Sequence, residues 1–365
     1  MIDTRWVRHF RIQAQQLDRA HGALDDTAVL DLGVQDTGPD GGRWALALRG
    51  VDVSALPADA LILLWTLRGA PHLYRRTDTA QIAGAVAPFS EADAAKRVFD
   101  AAKPLREAGI SILAALDEVA AQMRAIVTRP AVKGDVSARL ASVMPQPYLR
   151  SCRPCRAVHL YEQPFRLAAL RAGLELEPDT SPPVLRRIPG FRRPTAPGQR
   201  FDVIRAYLRL LGPATPSHVA GFLDPPVKEV KARWPSDTVT VTVDGEKRWL
   251  IADDLPRLES ADTTGVRLLG PYDLFLQARD RSTLVSDPAL AKQLWPVLGR
   301  PGAVLVDGDL VGTWRPRQRG SLLTVMVQPW RGLSPTTRRA VGEQAERLAA
   351  YRGVTLGEVE YSTDD

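Results

Sequence analysis

Residues 201–252 read FDVIRAYLRLLGPATPSHVAGFLDPPVKEVKARWPSDTVTVTVDGEKRWLIA. In the first eleven, Val203, Ile204, Tyr207, Leu208 and Leu211 recur on one face at the helical period. Gly212-Pro213 stops that helix, because proline has no amide to donate and clashes with the turn before it. Thr215, followed by Pro216, predicts a capped second helix from Ser217 to Leu223. Pro225-Pro226 opens a third, Val227 to Trp234. From Thr238 to Val243 side chains alternate with period 2, Asp244-Gly245 supplies a tight turn, and Lys247 to Ile251 returns. Three short helices followed by a β-hairpin are the layout of a winged helix-turn-helix.

The rest of the chain repeats that pattern less sharply. Residues 5–21 predict an amphipathic helix with Trp6, Val7, Phe10, Ile12 and Leu17 apolar. Asp25 or Asp26 caps a second through Leu32, and after Gly38-Pro39-Asp40 a third runs from Gly41 to Leu48. Thr66 to Arg75 reads as a wing around Gly69 and Pro71. A middle copy has helices near 78–87, 91–103 and 111–128 and a strand near 156–161. Residues 177–200 read as a Pro-rich basic linker, with no acid from 180 onwards. Beyond them, strands at 266–270, 303–307, 310–315 and 322–327 surround the Asp307-Gly308 turn, with helices near 271–277, 288–298 and 335–351. The expected fold is α+β: tandem winged helix-turn-helix units followed by a β-rich C-terminal domain. The expected segments are 1–76 (first winged helix), 77–176 (second), 177–200 (linker), 201–260 (third) and 261–365 (C-terminal α+β domain).

Composition narrows the function. The 365 residues are 45% hydrophobic and 25% charged, as in an ordinary globular protein, which excludes a disordered, collagenous or disulfide-framework chain. Apolar runs stop near Ala60–Leu67, well short of the ~18–20 residues that cross a bilayer, so no membrane partner is expected. The N-terminus carries charge where a signal peptide needs an apolar core, so a cytoplasmic setting is expected. A formal net charge of +6 favours anionic partners. Of the 48 basic residues only seven are lysines, and asparagine is absent, a skew that a GC-rich coding sequence produces without any arginine-specific chemistry.

No G-x-G-x-x-G, P-loop, H-E-x-x-H or G-x-S-x-G occurs, so nucleotide-hydrolysing, dinucleotide-binding and zincin chemistry are disfavoured, and no cofactor is expected. Cys152, Cys155 and His159 form Cys-x₂-Cys-x₃-His, the first pair at zinc-knuckle spacing. Zinc would need Glu162 as its fourth ligand. The plainer reading, two thiols and a hydrogen-bonded histidine, is preferred, and no metal is expected.

The chain resembles the AlkZ/YcaQ family of bacterial winged-helix DNA glycosylases. The residues that carry the likeness are Gly33-Val34-Gln35-Asp36-Thr37, Trp65-Thr-Leu-Arg-Gly-Ala-Pro-His72-Leu-Tyr, the stretch 201–252, Leu268-Leu-Gly-Pro-Tyr-Asp273 with Asp280-Arg281, and Val306-Asp-Gly-Asp-Leu-Val-Gly-Thr-Trp314. The resemblance implies tandem winged helices with a β-rich C-terminal domain around DNA. It implies a monofunctional glycosylase that hydrolyses the N-glycosidic bond of alkylated purines, cross-linked ones included. The family hallmark is Gln-apolar-Gln or Gln-apolar-Asp. Gln35 fits the first position, but Asp36 stands in the middle and Thr37 in the third. A hydroxyl orients water yet is a poor base. Asp36 is basic enough, but in an extended segment it points away from its two neighbours. Gln35, Thr37 and Asp36 are therefore the candidate catalytic residues. The bland alternative makes 35–39 only a capped turn.

Double-stranded DNA, alkylated or cross-linked, is the expected partner, bound by a monomer. By the geometry of a winged helix, Lys228, Lys231, Arg233 and Arg248 of the third unit face it, with Arg43, Arg49, Arg68 and His72 of the first. The linker adds Arg186, Arg187, Arg192 and Arg193 around Phe191, an aromatic able to stack at a lesion. The alternative, favoured by Thr37, is a non-catalytic winged-helix DNA-binding protein, a regulator or damage-recognition factor. A third is a protein-interaction module.

Overall fold

The computed structural model describes residues 2–154, 156–192, 196–260 and 262–362. In the stretch 201–252 the elements follow the periods. Helices Val203–Leu211, Pro216–Leu223 and Val227–Ala232 precede strands Thr238–Val243 and Glu246–Ile251. The strands pair antiparallel with Glu246 opposite Val243, and Asp244 and Gly245 turn at φ 46° and 84°. Both lie in the left-handed region that an Asp-Gly pair tolerates.

Packing does not follow the serial segments. The chain divides into one compact unit of Met1–Pro57, Tyr207–His218 and Pro235–Asp365, and another of Ala58–Ala206 and Val219–Trp234. These units cut across the boundaries of 1–76, 77–176 and 201–260. The stretch 201–252 is shared between them, with helix Val227–Ala232 in one and the hairpin in the other.

In the first unit, helix Thr4–Ala14 is capped by Asp3, which accepts from the Trp6 amide. It ends about two turns earlier than the pattern 5–21 predicts, and Gln16 just beyond takes φ 60°. Phe10 and Ala14 pack on Leu250 and Leu258. The C-terminal sheet is five-stranded, in the order Val266–Leu269, Gly302–Val306, Asp309–Arg319, Leu322–Pro329, Thr355–Tyr361. Its first four strands are antiparallel neighbours, and the last runs parallel to Leu322–Pro329. Parallel pairing needs a crossover, which helix Pro335–Tyr351 supplies. Thr355–Tyr361 was not expected as a strand, since only Leu356, Val359 and Tyr361 are apolar enough to signal one.

In the second unit the strands run Pro71–Arg75, Leu61–Trp65, Leu174–Leu176, Val184–Arg187, Ala131–Val132. The helices of this unit include Thr79–Ala85, Glu91–Arg97, Ala102–Glu107, Ile112–Ile126, Lys133–Val143 and Glu162–Arg171. Two expectations are corrected. Thr66–Arg75 is not a solvent-facing wing: every residue of Leu61–Trp65 is buried, as are all of Pro71–Arg75 except Pro71. The apolar run 60–67 needs both faces covered, so the hairpin becomes core. Residues 177–200 are not simply a linker, because Val184–Arg187 is a strand paired with Leu174–Leu176. The helix expected over 91–103 breaks at Phe99, which takes φ 50°. Among the described residues no helix is long and apolar enough to cross a membrane.

Candidate functional site

Gln35 ends the two-residue strand Val34–Gln35, and a turn leads from it into helix Gly42–Ala47. Extended backbone alternates its side chains. Accordingly Gln35 and Thr37 share a side, the Gln35 Nε2 donating to Thr37 Oγ1 at 3.2 Å. Asp36 turns the other way, and its Oδ1 accepts from the Gly42 amide at 2.7 Å, satisfying one of the donors that open a helix. Only glycine fits at 41, where a Cβ would stand 2.6 Å from Asp36 Oδ1.

The corner is braced by residues the sequence reading missed. Asp40 grips Arg352 through both oxygens, at 2.8 and 2.6 Å. Tyr351 donates to the Pro39 carbonyl at 3.4 Å, and its ring lies 5.3 Å from that of Trp44. Trp44 in turn donates to the Leu268 carbonyl at 2.8 Å. Burial, with Asp36 and Asp40 nearby, pushes the Tyr351 phenol up to about 12. The partners Asp40 and Arg352 are 312 residues apart, so no local signal links them.

Chemically, Thr37 accepts from Gln35 and so can donate its own proton onward, while the Gln35 amide oxygen is an acceptor. The pair can hold one water by orientation without bringing a charge. Arg43 lies on the first turn of helix Gly42–Ala47, half-buried.

Three of the expected DNA contacts are corrected outright. Arg49 is wholly buried, with all five N–H groups engaged. Its Nη1 and Nη2 hold both Asp273 oxygens at 2.8 and 2.9 Å, and the others reach Ala45 and Gln15. Arg248 is buried against Asp280 and Glu246, each at 2.7 Å. His72 is buried, its Nδ1 lying 3.1 Å from Thr66 Oγ1 and 3.0 Å from the Ala70 carbonyl. Burial, and then the Arg68 charge, lower its pKa to about 3, so it is neutral at neutral pH.

The remaining basic residues divide. Arg68 takes φ 57°, donates to the Phe222 carbonyl at 2.7 Å and stacks 4.7 Å over that ring. Arg186 pairs with buried Glu175 at 3.2 Å, and Arg187 is tied to the Val127 and Arg124 carbonyls. With Arg76, exposed Arg192 and Phe191, they line a cleft of ≈ 850 Å³ in the second unit. Arg193 lies outside the described residues. Lys228 and Lys231 are exposed on helix Val227–Ala232. Arg233 just beyond is exposed too, but bonded to Glu229 and to the Phe89 carbonyl, both at 2.8 Å.

Of the zinc pattern, Cys155 lies outside the described residues. Cys152 and His159 sit on the paired strands Leu149–Cys152 and Ala157–Leu160. Glu162 is committed to Lys133 at 2.9 Å and Arg166 at 2.6 Å. Burial works to raise its pKa, but those two cations outweigh it and hold the carboxyl below its ordinary value.

A family model for AlkZ-like DNA glycosylases matches residues 29–351. Among solved structures, the chain is similar to the Streptomyces sahachiroi DNA glycosylase AlkZ, with a TM-score of 0.73, 21% identity and 99% of each chain covered. At that identity the likeness establishes the fold. No curated protein sequence matches.

Proposed function

Because the chain belongs to the AlkZ-like DNA glycosylase family, we propose that it releases alkylated, cationic purines from DNA, with Gln35 and Thr37 holding the attacking water. The family makes it a DNA-binding hydrolase of DNA repair. An N7- or N3-alkylated purine already carries the positive charge that makes it a good leaving group. The electron pair of the C1′–N bond passes to the ring and cancels that charge. Water adds at C1′, and its proton leaves to solvent. No acid, metal or nucleotide is required by this chemistry. The protein's task is to orient water and stabilise the oxocarbenium-like sugar, an effect of ~10²–10⁴-fold.

The observation that supports this reading is the Gln35–Thr37 hydrogen bond, with Asp36 turned away to the helix. The test is base release from duplex DNA carrying N7-methylguanine. Gln35→Ala is expected to slow release ~10²-fold or more, and Thr37→Ser to keep most of it. Wild-type release no faster than the spontaneous rate rejects the proposal.

A second reading, a non-catalytic DNA-binding protein, is favoured by one observation: the Asp36 carboxylate is turned to the Gly42 amide rather than to the side shared by Gln35 and Thr37. It predicts salt-dependent binding without release. In either case the exposed Lys228 and Lys231 support docking of helix Val227–Ala232 in the major groove. Action as a monomer in the cytoplasm, on nucleoid DNA that is alkylated or cross-linked, belongs to the same proposal.

A further inference from the structure

Val297 and Leu298 are neighbours in sequence, and 96% and 86% of their surface is exposed. Single exposed apolar residues are ordinary. Two together, on the loop between helix Pro288–Leu294 and strand Gly302–Val306, are not, because that loop is held in place. At one end the Trp295 indole donates to the Leu276 carbonyl at 3.1 Å, and Arg281 lies 4.8 Å over its ring. At the other, Arg315 donates to the Gly299 carbonyl at 2.6 Å, and Arg300 sits 5.5 Å above Tyr272. Gly299 makes the turn at φ 64°. The apolar tip is presented on a braced support, so little conformational freedom is lost when it meets a partner.

The support is cationic. Arg281, Arg300 and Arg315 all hold the loop, and Arg279 is close by. Burial first, then the charges of Arg300 and Arg279, keep the Arg281 guanidinium below its ordinary pKa. Crowding like charges costs free energy that an anion beside them recovers. Tyr272 belongs to Gly270-Pro271-Tyr272-Asp273 of the same unit. There Gly270 backs onto the Asp40 carbonyl, with no room for a Cβ, and Asp273 holds Arg49. The tip and the Gln35–Thr37 corner are therefore parts of one folded body.

We propose that Val297 and Leu298 form a wedge that enters the duplex beside the damaged nucleotide, while Arg281, Arg300 and Arg315 take the flanking phosphates. This rests on reading the chain as a base-releasing enzyme. Apolar side chains pushed between base steps unstack them, and basic neighbours track the backbone. Such unstacking exposes the sugar of one nucleotide to groups that cannot reach it inside the helix.

The test uses a duplex oligonucleotide with a tetrahydrofuran abasic-site analogue and 2-aminopurine as its neighbour, at saturating protein. Wild type is expected to raise the 2-aminopurine emission several-fold as the base unstacks. Val297→Ala/Leu298→Ala is expected to give less than about a tenth of that rise, and Leu298→Met, which keeps the apolar bulk, to keep most of it. Arg281→Gln and Arg300→Gln are each expected to reduce the salt dependence of binding by about one counterion. A double variant as bright as wild type overturns the wedge, as does a wild type that binds without any rise in emission. Unchanged salt slopes overturn the phosphate contacts. Since the probe holds no scissile base, loss of base release from methylated DNA with the emission response intact removes the catalytic reading alone.

Discussion

Arg49 and Lys228 are both basic residues at helical segments, and the sequence treats them alike. In the folded protein Arg49 is wholly buried, its guanidinium filled by Asp273, Ala45 and Gln15. Lys228 stands exposed on helix Val227–Ala232. The interior of the first unit uses cations as struts, as Arg11 and Arg248 on Asp280 and Arg352 on Asp40 show again. A guanidinium suits that duty because its five donors are fixed in direction, whereas an ammonium is a strongly hydrated point charge. Basicity is thus visible in a sequence, while the environment that decides between strut and contact is not.

The largest effect that can break this contrast is expected at Arg49. Arg49→Ala leaves the Asp273 carboxylate buried and unpaired, which should cost about 3–5 kcal/mol of stability. Urea unfolding measures it. A variant with wild-type stability and lost DNA affinity would return Arg49 to the set of contacts.

His72 sharpens the contrast through pH. Its folded pKa of about 3 lies below the ordinary 6.5, so below pH 6.5 the unfolded chain takes up a proton that the folded one refuses. The stability tied to this histidine is complete above 6.5 and is lost as pH falls toward 3. The expected slope is roughly 1.4 kcal/mol per pH unit. Unfolding free energies of wild type and His72→Gln between about pH 6 and 4 isolate it from the other buried histidines. Parallel curves would mean that His72 titrates in solvent and is open to a phosphate after all.

Asp36 gives a smaller effect with a diagnostic split. If its carboxylate serves the helix, Asp36→Ala should lower stability by about 1 kcal/mol, and Asp36→Ser, which still caps, should restore most of that. Base release per folded molecule should change little beside the loss in Gln35→Ala. Loss of release at full stability would make Asp36 the base.

Much of the fold was legible because its signals are local. The Asp244-Gly245 and Asp307-Gly308 turns and the helix Pro335–Tyr351 all follow from residues within a few positions of each other. The shared side of Gln35 and Thr37 follows from period 2 alone. What stayed hidden depends on distant partners. Arg49 and Asp273 are 224 residues apart, and Asp40 and Arg352 are 312. The segment Thr66–Arg75 reads as a wing until its surroundings are known, since a buried strand and an exposed one share the same turn residues. The acid that holds Arg186 is Glu175, which lies outside the acid-free run 180–200.

The smallest effect concerns the exposed side of the comparison. Lys228→Gln and Lys231→Gln remove exposed charges, so stability should move by less than about 0.5 kcal/mol. If both ammonium groups meet phosphates, each substitution should lower the slope of log affinity against log salt by about one, and the two should add. The loss should be similar on alkylated and undamaged duplexes, because a phosphate contact carries no information about the base. A loss confined to one sequence would instead make these lysines readers of base edges. No loss at any salt concentration would mean that exposure and charge at this helix do not make a contact, and the basic loop around Val297 and Leu298 would then remain as a surface where cations meet an apolar tip.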